Sequence, residues 1–188
     1  MYSAEELNRK INNTTDNVKR WFLMSQLLTN NWVELIRVNE QETISDEEYF
    51  ERLIFSTFFI FKSASPNEVN EKQKFMSDMI IELMHFSTKF GNFENKLGGS
   101  FSQDMVKFII NRYSIIESEI KEMKQGDSYT TPFLIYNLYI NPTNTDKPKF
   151  NDIMEEIGGM ELMKQSLLFI AHFKFFLQML DEIIQSVE

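Results

Sequence analysis

Cysteine is missing from all 188 residues. That removes disulfides, thiolate metal sites, iron–sulfur clusters and cysteine nucleophiles together. Histidine is nearly missing as well, and two copies cannot supply a three-histidine metal centre from one chain. Six glycines and four prolines leave few interruptions in the backbone, so long regular elements are expected. No Gly-x-Ser-x-Gly occurs, and Gly91, Gly98 and Gly99 build no phosphate loop followed by Lys and Ser or Thr, so neither a hydrolase elbow nor a P-loop is encoded. Positive charge is in deficit: 19 Lys and Arg against 28 Asp and Glu give a net charge of −9, which argues against nucleic acid as a partner. No apolar run suits a membrane span, because His172, Lys174 and Gln178 interrupt the longest one. The opening MYSAEELNRK carries early acids in place of the basic start and apolar block of a secretory signal. The expectation is a cytoplasmic protein.

What is present is core. Eighteen phenylalanines and eleven methionines in a chain that is 43% apolar fit a globular protein, and a chain of this length buries roughly 70% of its unfolded surface. Residues 1–188 are read as a single domain, an all-α bundle of about five to seven helices with the apolar C-terminal helix at its centre. Ser3 caps a first helix whose apolar positions continue to Ile36, with a break at Asn12 to Thr15. Ser45, with Glu48 three residues on, forms a capping box that opens a second helix through LIFSTFFIF, apolar nearly all round and hence central. Ser65-Pro66-Asn67-Glu68 marks a third start. Its helix turns Val69, Met76, Met79, Ile80, Leu83, Met84 and Phe90 inward and ends at Gly91. A fourth begins at Ser100 or Ser102, buries Met105, Phe108, Ile109, Ile116, Ile120 and Met123, and stops at Gly126. Over Asp127 to Pro148 a helical start at Thr131-Pro132 competes with the strand formers of FLIYNLYI; helix is the expectation. Residues 141–149 read as a mobile polar loop suited to contact or cleavage, Asn151 to Ile157 as a short helical turn, and Met160 to Val187 as the last helix.

Within that last helix, 100° per residue puts Lys174 on a solvated stripe with Gln178, Asp181 and Gln185. His172 falls on the opposite side, among Leu168, Phe169, Phe175 and Phe176. Gln165 and Glu161 continue its face toward the amino end, so three polar residues line an apolar wall, each costly to bury alone. Two readings follow. In one, Glu161, Gln165 and His172 bind a small ligand at the mouth of the bundle. In the other, His172 is a neutral ring bonded inside the core and the other two reach water near the helix end.

Glu82 and His85 match half of a di-iron bundle motif, but they share a face with Glu71, Lys74, Asp78 and Lys89 that reads as solvated. Glu47-Glu48-Tyr49-Phe50-Glu51 sets three carboxylates within one turn, a donor type that suits Mg²⁺. The spelling resembles the first metal motif of the all-α nucleoside triphosphate pyrophosphohydrolases, the MazG-like and dimeric dUTPase group. The resemblance implies Mg²⁺-dependent nucleotide hydrolysis through Glu47, Glu48 and Glu51. It covers five residues, and the Glu-x-x-Asp that continues the family pattern occurs nowhere in this chain.

No catalytic set, resident metal or cofactor is therefore assigned. The leading expectation is a non-enzymatic regulator, inhibitor or immunity-type factor that binds another protein with a basic or neutral surface, the acid-rich segment Glu40 to Glu51 being a candidate contact. A second copy of the chain or a partner helix would cover any apolar face left exposed.

Overall fold

A computed structural model describes residues 2–40, 43–88, 101–125 and 159–185. The described residues form six helices and no strand: α1 (Ala4–Asn13), α2 (Asn17–Glu40), α3 (Asp46–Ala64), α4 (Val69–Ser87), α5 (Phe101–Gln125) and α6 (Gly159–Gln185). None is long and apolar enough to cross a membrane. The expected polar loop at 141–149, and all of 126–158, lie outside the described residues.

Two helices begin as their sequences specify. The Ser3 hydroxyl accepts from Glu6 N at 3.2 Å while the Glu6 carboxylate accepts from Ser3 N at 2.9 Å. Ser45 and Glu48 repeat the exchange at 3.2 and 2.8 Å. Each box satisfies amides that a helix start otherwise leaves open. The break between α1 and α2 falls at Thr14 to Asp16, and the Asp16 carboxylate accepts from Lys19 N at 3.0 Å to restart the helix.

The third start differs from the expectation. Ser65 ends α3, donating its N–H to the Phe61 carbonyl at 3.0 Å, with extended dihedrals. Pro66 enforces this, because a residue before proline is driven out of the helical region. Helix α4 then opens three residues beyond Pro66, at Val69, without a side-chain cap. Its inner face is Phe75, Met79, Ile80, Leu83 and Phe86, and Val69 stays exposed.

The most enclosed helix is α3, which packs on α2, α4, α5 and α6. Every residue from Tyr49 to Phe58 is buried. The C-terminal helix is expected at the centre; among its described side chains, α6 is buried along one face. It packs on α2 and α3 through His172, Phe176, Met179 and Leu180, while Lys174 and Phe175 remain exposed. Rings bind this junction: Trp32 of α2 lies 5.0 Å from Phe176 and 5.5 Å from Phe55, and Phe55 lies 5.3 Å from Phe176. The tilted arrangements suit the quadrupoles of aromatic pairs.

Small hydroxyls of α2 and α3 are buried in the core. Thr29 Oγ1 shares 2.8 Å hydrogen bonds with the Ser25 carbonyl and with Ser56 Oγ. Thr57 Oγ1 lies 2.8 Å from the carbonyls of Leu53 and Ile54. These groups are buried at no net polar cost because each finds a partner within reach.

The register of α6 makes a testable contrast between neighbouring residues. Phe176 is fully buried, whereas Phe175 is 37% exposed. Phe176→Ala is expected to cost about 3–5 kcal/mol and Phe175→Ala under about 1 kcal/mol in urea unfolding. Equal losses would show that α6 sits in another rotation.

Candidate functional site

Helices α3 and α5 meet over a buried ion pair. Arg112 Nε donates to both Glu51 oxygens at 3.0 and 3.1 Å, and Arg112 Nη2 lies 2.9 Å from Glu51 Oε1. The two side chains are 1% and 2% exposed. Burial raises the Glu51 carboxyl above the usual carboxylate range, and the Arg112 and Arg52 guanidiniums pull it back. Three short contacts to a permanently charged guanidinium fit an ionised carboxylate. Phe108 supports the arrangement from the same helix, its ring centroid 4.7 Å from the Arg112 guanidinium carbon.

A second guanidinium, that of Arg52, lies within electrostatic reach of Glu51. Arg52 is buried, donates to the Glu48 carbonyl at 3.1 Å and lies 6.0 Å from the Trp32 ring centroid. His172 of α6 lies within electrostatic reach of Arg52. It is 6% exposed, and burial, then the charge of Arg52, lower its pKa from 6.5. The ring is therefore neutral at neutral pH.

Of the expected ligand-binding trio, only His172 can be placed; the side chains of Glu161 and Gln165 lie outside the described residues. The three carboxylates at the start of α3 do different jobs. Glu48 completes the cap of Ser45, Glu51 faces Arg112 in the interior, and Glu47 stays partly exposed. Among the described residues no three His, Asp or Glu side chains are grouped to hold a metal ion. His85 lies on the exposed face of α4, as its spacing implies.

The surface carries an apolar groove of about 470 Å³ between α2 and α6. Leu35, Val38, Phe175 and Met179 provide its greasy surface, and Glu34 and Glu182 its acids. Val38, in the last turn of α2, is 70% exposed. Glu34 has one cationic neighbour, Arg37, at 3.8 Å on the same helix with both side chains mostly in water, a contact of little strength.

No protein-family model, curated protein or solved structure matches the chain. Its chemistry is therefore argued from its own side chains.

Arg52 and Arg112 are buried cations that the sequence reading does not mark. The signal for Arg112 was available: it stands four residues after Phe108 and four before Ile116, on the buried stripe of α5.

Two outcomes follow. Glu51→Gln strands the Arg112 charge and is expected to cost about 3–5 kcal/mol, while replacing both partners together, Glu51→Leu with Arg112→Met, restores most of that loss. Chemical denaturation of the single and double variants checks this, and equal losses would mean the pair is not coupled. For His172 the folded value is lowered, so the unfolded chain binds the proton first as pH falls. Its contribution is complete above about pH 6.5 and declines below it. His172→Gln should flatten the stability difference between about pH 7 and about pH 5.5; an unchanged slope would assign the pH response elsewhere.

Proposed function

We propose that the chain is a cytoplasmic protein that acts by binding another protein, as a regulator, inhibitor or immunity-type factor. The observation that carries this reading is the α2–α6 groove. Leu35, Val38, Phe175 and Met179 lie together in it, and contiguous apolar surface rimmed by polar groups marks an interaction site where singly exposed residues do not. The acids Glu34 and Glu182 set the chemistry of the occupant. An amphipathic helix offering an apolar face to Val38 and Phe175, with Lys or Arg along its edges, matches both the greasy surface and the rim. The net charge of −9 steers such a partner toward the chain over longer range.

Quantitative co-purification from the native host tests this, with three baits: the wild-type chain, a groove variant carrying Val38→Lys, and a control carrying Ile110→Lys on α5. Ile110 is 45% exposed and is not among the groove residues, so its substitution controls for added charge. The expected result is a basic protein enriched by wild type and control but lost, by about tenfold or more, from the groove variant. A partner set unaffected by Val38→Lys would overturn the assignment. So would a concentration-dependent dimer abolished by that substitution, because the groove would then serve a second copy of the chain.

A further inference from the structure

A cleft of about 540 Å³ lies between α1, α2 and α4, on a different set of residues from the α2–α6 groove. Its electrostatics run against those of the molecule. Arg9 and Lys10 of α1 and Lys19 of α2 line it, with Glu82 as the opposing carboxylate. Three cations converge here on a chain whose net charge is −9. Phe22 and Phe86, whose rings meet edge to face at 6.0 Å, add aromatic surface to the same cavity.

Independent of that charge is Gln26. It lies in the middle of the apolar run Trp21 to Leu28, is 5% exposed, and lines the cleft. Its side chain hydrogen-bonds no described residue. Its stem is held in the core while the residue lines a cavity large enough for a small molecule, so the amide is open to a ligand there. One wall of that cavity is held in place before anything binds. Tyr49 Oη donates to Asn30 Oδ1 at 2.6 Å, Asn30 Nδ2 donates to the Tyr2 carbonyl at 2.9 Å, and the Lys10 ammonium lies 4.4 Å from the Tyr2 ring centroid.

We propose that this cleft binds a phosphorylated small molecule with a planar ring, of the nucleoside monophosphate class. The guanidinium of Arg9 suits two phosphate oxygens at once, and Lys10 and Lys19 add point charges. Gln26 offers a donor and an acceptor to the polar edge of a base, and the exposed margins of Phe22 and Phe86 add apolar contact. The site takes up cations that the protein-binding reading leaves unused and does not depend on that reading.

Isothermal titration of the full chain with AMP, adenosine and inorganic pyrophosphate, at low and raised salt, tests the assignment. AMP is expected to bind most tightly, pyrophosphate more weakly and adenosine without measurable heat. Affinity for AMP should fall as salt screens the cations. The double variant Arg9→Gln with Lys19→Gln, both on exposed positions, should weaken AMP by about tenfold or more. Gln26→Leu should weaken AMP without lowering the melting temperature of the unliganded protein, a pair of changes that a purely structural glutamine would not give. The proposal is overturned if neither anion binds, if adenosine binds as tightly as AMP, or if the double variant retains wild-type affinity.

Discussion

A carboxylate and a guanidinium sealed between two helices constrain this fold more than any apolar contact does. Removing Glu51 and Arg112 from water costs several kcal/mol per ion, and only a near-ideal geometry offsets it. The pair has that geometry, with both carboxylate oxygens engaged by one guanidinium. Its main consequence is register. Sliding α5 along α3 by one turn would leave two buried charges apart, whereas a slip between wholly apolar faces would exchange one set of contacts for another. With eighteen phenylalanines and eleven methionines, side chains that repack readily, a core of this composition benefits from one contact that tolerates no alternative.

The ion pair also explains why α3 occupies the middle. A helix buried over ten consecutive residues must satisfy its polar groups from inside the protein. Glu51 does so through α5, Ser56 through α2, Thr57 through its own helix and Arg52 through the carbonyl of Glu48. His172 fits the same scheme from α6: burial and the nearby Arg52 charge both favour the neutral ring, so the centre avoids a further buried cation.

Much of this was legible in the amino-acid order, for reasons that can be named. The boxes at Ser3 and Ser45 depend on residues three apart, and the inward turn of His172 follows from helical arithmetic. Ser65 misled because serine before proline satisfies the pattern of a helix start while the proline holds it in extended backbone. Phe75 and Phe86 were passed over because the stripe chosen for α4 began at Val69, which the structure exposes. The place of α6 is legible in part: its apolar content says how much surface must be covered, and not which neighbours cover it. The cleft was invisible because its residues come from α1, α2 and α4, and their convergence is a property of packing alone. Gln26 was its one local trace, an amide inside an apolar run.

Helix α2 shows how function and local rules come into conflict. It has no acid in its first turn, where the helix dipole favours one, and carries Lys19 and Arg20 instead. Asp16 compensates in part from the cap position. Near its other end, Val38 is turned to water where a polar residue would serve solubility better. Both departures fall on or beside surface concavities, Lys19 in the basic cleft and Val38 in the acid-rimmed groove. Natural sequences tend to break local preferences where a site requires it. The helix between them is roughly 36 Å long at 1.5 Å per residue and is fixed by Thr29 to the most enclosed element of the fold. One rigid rod thus presents two surfaces of opposite charge, so occupants of the two are selected by different chemistry and need not compete for the same residues.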